Sequence, residues 1–411
     1  MNLQFEEPLF SLSDIENLIS KNNKFIVYGA DNFGLKCKKV LESIGKTVIG
    51  FVDLDKIKTK NFKNNQILDI ENICLDAIII IASYHSFQIA KKLTKEFGLK
   101  YYDNYVFWGQ MALAALPRQE YILNSFGSHF YYFYKKHLNM YKKVYDFLSD
   151  EHSKDILFKI IYNRIHFFNP DKISIDNLPT SPEIQKKYES DVSYYYQLLP
   201  KSIPQRLKES IAFKISLNTY SYRNIVSPVG KKVIFDIGAY NNTAAMFSFL
   251  SPDSIVYAFE PQEKQHEDNL KLSKTFKNIR SINKAAWKNS GTIGFDTVES
   301  YFGGTADSRI SLDSKKMINV VSIDDFVILN NIDDVDFIKM EIEGAEYEAL
   351  LGANKTITKF KPDLAICTDH KPEHLFEIPI LIKKIHKDYN IYMDHRYFEP
   401  VRTICFATIN K

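Results

Sequence analysis

The chain has 411 residues, which is longer than one ordinary domain, so its length predicts two globular units and a connecting region. Lys and Arg number 53 and Asp and Glu number 50, a near balance that does not favour nucleic acid as a partner. Hydrophobic residues make up 45% of the chain, which is enough to form complete cores.

The first predicted unit, residues 1–108, alternates short apolar strands with helical patterns. The strands are Lys24–Tyr28, Thr47–Val52 and Asp76–Ala82, and helical spacing begins near Phe33 and again over Phe87–Phe97. Such alternation is typical of a parallel sheet with right-handed crossovers, so we predict a Rossmann-like module.

Glycine and polar residues follow the first two strands of this module. Gly29, Asn32 and Gly34 come after the first strand, and Asp53 closes the second. These positions predict a weak nucleotide or nucleotide-sugar site, because parallel sheets bind ligands at their carboxyl edge. The dinucleotide pattern G-x-G-x-x-G is absent, so NAD is not expected. The alternative is a structural module that holds the catalytic unit or a partner copy, which leaves a homodimer open.

Residues 109–230 form the predicted helical connecting region. Tyr121–Phe168 and Tyr188–Tyr222 are rich in aromatic residues and Lys at helical spacing, whereas Asn169–Pro182 contains three prolines and is predicted to be a loop. Its many tyrosines fit ordinary packing. They also fit a lid that stacks on a sugar, because a tyrosine ring offers apolar area with a polar tip.

The third predicted unit, residues 231–411, again alternates strands and helices. We therefore predict a second doubly wound α/β domain, so that the whole chain consists of two Rossmann-like domains joined by helices. The predicted strands are Val233–Ile237, Ser254–Phe259, Ile279–Ile282, Ile318–Val321, Val335–Met340, Asp363–Cys367, Ile391–Met393 and Thr403–Thr408.

Acidic and polar residues follow several of these strands. Asp236 and Gly238 end the first strand, Glu260 ends the second, Glu341 follows the strand VDFIKM, and His370 follows the next one. An acid at the end of the second strand can bind both hydroxyls of a ribose. No phosphate-binding glycine pattern accompanies it, which favours a cationic, phosphate-free cofactor over a dinucleotide.

The motifs of this unit resemble the FkbM family of methyltransferases. They are, in chain order, DIGAYNN, YAFEP, VVSIDDF, VDFIKMEIEGAEYEALLGA, KPDLAICTDH and EIPILIKKIHKDYNIYMDHR. The resemblance implies a Rossmann-like fold, S-adenosylmethionine as cofactor, and O-methylation of a sugar hydroxyl in a surface polysaccharide such as capsule or lipopolysaccharide. The segment FLSDEHSKDILFKIIYNRI and the first module are similar to the regions that precede this domain in bacterial two-domain members.

The resemblance implies a set of cofactor-binding residues. The residues at these positions are Asp236, Gly238, Ala239, Tyr240, Glu260, Pro261, Ala286, Trp287 and Glu343. Alternatives remain open for three of them, because Asp236 and Glu260 could cap the helices that follow and Trp287 could be plain core. Lys339, in an otherwise apolar strand, is expected to pair with a nearby carboxylate, since a buried ammonium needs a partner.

His370 and Glu341 are the candidate catalytic residues. A sugar hydroxyl attacks a methyl group only if its proton is removed, and a histidine with a near-neutral pKa suits that role. Glu341 is the second candidate base, with an orienting role as its alternative. Because these groups lack a recognised metal-binding spacing, no metal site is predicted.

Two further features of the sequence bear on activity and on location. The loop Tyr240–Thr243 lacks the second glycine and the acid usual in the family, so the alternative hypothesis is a non-catalytic glycan- or nucleotide-binding protein on a degenerate methyltransferase fold. The four cysteines form no CxxC pair, and the N-terminus lacks a signal peptide. We therefore expect a cytoplasmic protein without a transmembrane segment.

Overall fold

The computed structural model describes residues 5–8, 11–53, 62, 65–72, 76–82, 86–108, 110–111, 125–167, 191–240, 242–297, 308–395 and 402–409. Within these ranges the chain has a mixed α/β fold whose strands form three sheets. None of the helices in the described ranges is long and apolar enough to cross a lipid bilayer.

The N-terminal sheet consists of four parallel strands in the order β2-β1-β3-β4. Its elements are α1 (Leu12–Lys21), β1 (Lys24–Tyr28), α2 (Asn32–Ser43), β2 (Thr47–Val52), β3 (Ile78–Ile81), α3 (Ser86–Phe97) and β4 (Tyr105–Phe107). The first two strands have the predicted bounds. All four residues of β3 are buried, as expected for a continuous apolar run covered on both faces.

The connecting region contains α4 (Gly127–Lys136), α5 (Leu138–Phe147), α6 (Glu151–Ile165) and α7 (Gln205–Ser216). Helix α6 starts at an N-cap, because the Asp150 carboxylate accepts a hydrogen bond of 2.8 Å from the Ser153 N–H. Its buried residues Ile156 and Ile160 join the core of the C-terminal sheet. The predicted loop Asn169–Pro182 lies outside the described residues.

The C-terminal part contains a seven-stranded sheet in the order β14-β15-β13-β12-β5-β6-β7 and a small sheet in the order β10-β9-β11-β8. The strands are β5 (Val233–Ile237), β6 (Ile255–Phe259), β7 (Ile279–Ile282), β8 (Ala285–Ala286), β9 (Gly291–Asp296), β10 (Arg309–Ile310), β11 (Met317–Val321), β12 (Phe337–Met340), β13 (Asp363–Cys367), β14 (Asn390–His395) and β15 (Thr403–Thr408). The helices are α8 (Thr243–Leu250), α9 (Glu263–Leu272), α10 (Ile323–Leu329), α11 (Glu346–Leu351), α12 (Asn354–Phe360) and α13 (His374–Ile385).

Two details differ from the predicted doubly wound sheet. Strand β15 runs antiparallel to both β13 and β14. Only seven residues, 396–402, separate β14 from β15, which is too few for the crossover that a parallel pair needs. Strand β11, predicted as one more strand of the domain, belongs to the small sheet, where it pairs antiparallel with β9.

The centre of the large sheet determines where a ligand can bind. Strand β5 pairs in parallel with β6 on one side and with β12 on the other. The chain therefore winds away from β5 in both directions, which places the switch point of the sheet between β5 and β12. Open α/β sheets bind their ligands in the crevice at such a switch point.

Candidate functional site

A cavity of about 370 Å³ lies at the carboxyl ends of β5, β6 and β12. This volume is in the range of small-molecule binding sites. Seven of the predicted site residues line it, namely Gly238, Tyr240, Glu260, Pro261, Ala286, Glu341 and Glu343. Helix α7 contributes Ser210, Phe213 and Lys214, and Arg402 completes the wall beside Glu341.

Gly238 lies where the loops after β5 and β12 touch. Its φ is +83°, and a Cβ atom placed on it would be 2.0 Å from the carbonyl oxygen of Glu341. Only glycine fits such a position. Tyr240 and Glu343 also adopt left-handed backbone, with φ of +46° and +53°. Strained backbone of this kind persists where surrounding structure enforces it and is frequent at functional sites.

Glu260 fixes the loop that follows β5. Its carboxylate accepts hydrogen bonds of 2.9 Å from the N–H groups of Tyr240 and Gln262. Burial raises the pKa of Glu260 to about 7, although those two N–H groups and the Lys339 ammonium act in the opposite direction. The side chain is therefore a nearly buried acid at the cavity wall, and a hydroxyl or a cation in the cavity would stabilise its charged form.

Asp236 does not line the cavity. Its Oδ1 lies 3.0 Å from the Lys339 Nζ, and neither side chain is exposed. Its Oδ2 accepts a hydrogen bond of 2.6 Å from the Thr243 hydroxyl, while Lys339 also donates to the carbonyl of Gly238 at 2.7 Å. The expected pairing of Lys339 with a carboxylate is thus present, and Asp236 supports the loop from behind the cavity wall.

Glu341 lies at the centre of a charged cluster on the cavity wall. Tyr220 donates a hydrogen bond to one carboxylate oxygen, and Arg402 pairs with the other. Burial by itself raises the pKa of Glu341, but the positive charges of Arg402, Lys214 and Lys339 outweigh it and hold the pKa well below its usual range. Glu341 is therefore ionised, and each of its two carboxylate oxygens has a partner.

His370 lies between two carboxylates. Its Nδ1 is 2.7 Å from Glu346 Oε1, and its Nε2 is 3.3 Å from Glu343 Oε1. Burial lowers the pKa of the imidazole, but the two carboxylates outweigh this effect and raise the pKa well above 6.5. His370 is thus a buried cation at neutral pH, and it is not among the residues that line the cavity.

Two residues that organise the site were not predicted. Glu346 is fully buried, and its oxygens accept hydrogen bonds from the N–H groups of Ile342 and Gly344 at 2.8 and 3.1 Å. Asn269, on α9, donates a bond of 2.6 Å to the carbonyl of Tyr240. The position of Glu346 in the motif EIEGAE was a usable signal, whereas nothing in the sequence links Asn269 to Tyr240.

Ala239 and Trp287 lie outside the cavity lining. Ala239 is fully buried, and its N–H donates to the carbonyl of Phe259 at 3.1 Å. Trp287 packs against the buried cluster of the small sheet that contains Ile293 and Val320. Its position agrees with the packing alternative rather than with direct contact to a ligand in the cavity.

The first module repeats one detail of the large sheet. The Asp53 carboxylate accepts a bond of 3.0 Å from the N–H of Ala30, as Glu260 does from Tyr240. A Cβ on Gly29 would lie 2.4 Å from the carbonyl oxygen of Ala82, and one on Gly34 would lie 2.0 Å from that of Gly29. Close packing therefore accounts for both glycines, the side chain of Asn32 lies outside the described residues, and the nucleotide site stays a prediction.

Cys367, Asp369 and His370 bring potential metal ligands within 4.8 Å of one another. Internal bonds already occupy them, because the Cys367 thiol donates to Asp369 at 2.6 Å and the other Asp369 oxygen accepts from the Arg402 N–H at 2.7 Å. Burial, followed by the charge of Asp369, raises the pKa of Cys367 well above its usual value. A protonated thiol is a poor metal ligand.

Comparison with known proteins agrees with this architecture. Residues 236–396 match the methyltransferase FkbM domain. A methyltransferase FkbM from Methylobacillus flagellatus KT shares the fold, with 17% identity, a TM-score of 0.61, and coverage of 99% of this chain and 95% of that chain. No curated protein shows a significant match to the sequence.

Two more distant structures are also methyltransferases or related proteins. Aeropyrum pernix fibrillarin in complex with natively bound S-adenosyl-L-methionine has 12% identity and a TM-score of 0.30, with 44% of this chain and 67% of that chain covered. Precorrin-6y C5,15-methyltransferase from Geobacter metallireducens GS-15 has 14% identity and a TM-score of 0.27, with coverages of 51% and 90%. Similarity at this level carries no argument for the present chain.

The shared fold and the domain match together support a methyltransferase. Residues 236–396 match the model of the methyltransferase FkbM domain, the family that the motifs of this region resemble.

Proposed function

We propose that this protein uses S-adenosylmethionine to methylate a sugar hydroxyl, in the biosynthesis of a surface polysaccharide such as capsule or lipopolysaccharide. The observation that carries the proposal is the cavity at the switch point, with Glu260 buried in its wall. The proposal includes the division of the chain into a Rossmann-like module (1–108), a helical region (109–230) and a methyltransferase domain (231–411).

The residues around the cavity fit S-adenosylmethionine. Glu260 and Glu343 offer negative charge to a ligand that carries a sulfonium and an ammonium, and Gly238 lets the ligand approach the backbone closely. Apolar side chains, among them Ala286 and Ile310, line the same cavity and suit an adenine ring. When bound, this cofactor supplies an electrophilic methyl group.

Glu260 is assigned to the ribose hydroxyls. Each of its oxygens accepts one backbone N–H, which leaves further lone pairs to accept from a hydroxyl in the cavity. Tyr240 and Pro261 shape the wall beside it. Asp236, Ala239 and Trp287 act through the loops that they support, because they do not line the cavity.

The acceptor sugar is assigned to the side formed by α7, Glu341 and Arg402. Phe213 lies on this helix with 42% of its surface exposed, although it borders the cavity. An exposed aromatic ring at the mouth of a cavity can stack on the apolar face of a sugar. Arg402 and Ser210 offer hydrogen-bond donors to its hydroxyls.

The roles of His370 and Glu341 follow from their partners. His370 holds Glu343 and Glu346 together, so we assign it to positioning the loop after β12. Glu341 keeps Arg402 and Tyr220 in place. A general base must be unprotonated at working pH, and its accepting atom must not already be held by strong hydrogen bonds or ion pairs. Neither residue meets both conditions.

Calorimetry with the full chain tests cofactor binding. We expect S-adenosylhomocysteine and S-adenosylmethionine to bind, and Glu260→Gln to weaken binding by roughly ten- to hundredfold, the cost of losing a charged hydrogen bond. Glu263→Gln, at an exposed position three residues further along the chain, is the matched control. The absence of binding at millimolar cofactor would refute the proposal and support a non-catalytic glycan- or nucleotide-binding protein.

Formation of S-adenosylhomocysteine tests the acceptor class. The full chain is incubated with S-adenosylmethionine and an equimolar mixture of UDP-glucose, UDP-galactose, GDP-mannose and dTDP-rhamnose. Product above the sugar-free control supports a nucleotide-linked sugar acceptor. A chain that binds cofactor but gives no product with these sugars, or with the same sugars free, would contradict the sugar assignment.

A further inference from the structure

Lys214 is the one cation that α7 contributes to the cavity lining in the described structure. Its Nζ lies 5.8 Å from the ring centroid of Tyr220, whose hydroxyl donates to Glu341. Lys339 lies 5.3 Å from the centroid of the same ring. Lys214 therefore lies on the side of the cavity assigned to the acceptor, next to Tyr220 and Glu341. Hydrogen bonds and an ion pair hold these neighbours in place.

We propose that Lys214 is the general base that removes the proton from the acceptor hydroxyl. The inference rests on the proposed function. The proton of the O–H bond passes to the unshared electron pair of Nζ, and the electron pair of that bond forms the new oxygen–carbon bond to the donated methyl group, whose former bond pair stays on sulfur. Lys214 ends the step as an ammonium and returns its proton to water.

The surroundings of Lys214 favour its neutral form. Burial lowers its pKa to about 8, with Arg402 and Lys339 acting in the same direction and Glu341 and Asp236 in the opposite one. In the described part of the chain, no side chain forms a hydrogen bond or an ion pair with its Nζ. An amine without such partners keeps its electron pair available, which a general base requires.

The other ionisable groups on the cavity are less suitable. Glu341 is held ionised by Arg402, and its other oxygen already accepts a hydrogen bond from the Tyr220 hydroxyl. Glu260 accepts hydrogen bonds from the backbone N–H groups of Tyr240 and Gln262 and is assigned to the ribose of the cofactor. Glu343 is the neighbour of the His370 cation, and Arg309 carries a permanent positive charge.

Competitive acetylation of the cofactor-free chain tests the state of Lys214 without any substrate. Trace acetic anhydride is applied between pH 6 and 11, and the acetylated peptides are quantified by mass spectrometry. We expect Lys214 to titrate near pH 8, against about 10.4 for an ordinary exposed lysine. In the Glu341→Gln variant the pH midpoint of Lys214 acetylation moves lower, because the anion that favours the charged amine is lost. A midpoint near 10 in the wild type overturns the proposal.

Turnover of the nucleotide-sugar mixture tests the catalytic role. Lys214→Arg keeps the charge but cannot lose its proton, so we expect the rate to fall by roughly a hundredfold or more. The wild-type rate rises as pH increases through about 8, and this dependence disappears in the variant. Lys208→Arg, on the same helix and 4.4 Å from the Tyr196 ring centroid, is the matched control and stays near the wild-type rate.

The outcomes separate this inference from the proposed function. If Lys214→Arg keeps the rate while Lys214→Met loses it, the residue acts only as a charge and the inference is wrong. If the wild type binds no cofactor or methylates no sugar, the proposed function fails, whereas the acetylation midpoint still decides the state of Lys214. Unchanged cofactor binding in Lys214→Arg shows that the variant is folded.

Discussion

Asp236 and Lys339 are register partners on the two central parallel strands, and their side chains form an ion pair with no exposed surface. The pair links β5, which precedes the loop with Gly238, to β12, which precedes Glu341. Because Lys339 also donates to the carbonyl of Gly238, one ammonium holds both sides of the switch point together.

Removal of one partner of this pair will destabilise the fold. Lys339→Met leaves the Asp236 carboxylate buried without its cation, and we expect a loss of about 3–5 kcal/mol in the free energy of unfolding. The double variant Asp236→Asn with Lys339→Met recovers part of this loss, because no uncompensated charge remains. Denaturant unfolding followed by circular dichroism measures both.

Lys24→Met is the control for that comparison, since it breaks an ion pair with Asp76 in which both side chains are more than half exposed. Solvent screening limits its effect to within about 1 kcal/mol. Equal losses in the two single variants would mean that the buried pair has no special role.

Gly238→Ala will abolish cofactor binding. The added methyl group would meet the carbonyl of Glu341, so the two loops must separate. Gly230→Ala is the matched control, because its φ of +77° is similar but nothing lies within 4 Å of its Cβ. We expect the free energy of unfolding to fall by about 1 kcal/mol in the Gly230 control and by clearly more in Gly238→Ala. Normal binding of S-adenosylhomocysteine by Gly238→Ala would contradict this account.

Asn269→Ala will weaken cofactor binding without unfolding the domain. The substitution removes the donor that holds the carbonyl of Tyr240, a residue with strained backbone. The loop then relaxes, and we expect affinity for S-adenosylhomocysteine to fall by roughly five- to tenfold, the equivalent of one hydrogen bond. Lys271→Ala, on an exposed part of the same helix, keeps full affinity. Calorimetry gives the dissociation constant of each variant for S-adenosylhomocysteine.

His370 makes the stability of the domain depend on pH. Its folded pKa is raised above the unfolded value of about 6.5, so the stabilisation is complete below that value and is lost as pH rises through the folded pKa. The difference in unfolding free energy between the wild type and His370→Gln should therefore shrink from pH 6 towards alkaline pH. A difference that stays constant over this range would show that the two carboxylates do not interact with a charged imidazole.

The sequence predicts the large sheet well because its strands are long β-branched runs. Val233–Ile237 and Thr403–Thr408 have the same bounds in the sequence prediction and in the structure. The small sheet was missed except for β11, because β8 and β10 contain two residues each and carry no periodicity. Strands this short exist only through tertiary pairing.

The same reasoning explains which site residues were found. Glu260 and Glu341 could be predicted because an acid that follows a parallel strand must lie at its carboxyl edge. Lys214 and Tyr220 come from the helical region. The packing of α7 against α8 brings Lys214 to the cavity wall, and Tyr220 reaches Glu341 through its hydroxyl. The ionisation of His370 depends on Glu346. The orientation of the Glu346 side chain is set by the backbone N–H groups of Ile342 and Gly344, which the sequence does not reveal.

Gly238 and the carbonyl of Glu341 approach so closely that the loops after β5 and β12 are packed directly against each other. These loops border the parts of the cleft proposed for the methyl donor and for the acceptor sugar. We therefore expect a ligand that moves one of these loops to shift the other. Linkage requires the effect to be mutual, so that the donor alters affinity for the sugar by the same factor as the sugar alters affinity for the donor. The coupling that this glycine transmits is therefore expected to be equal whichever ligand binds first.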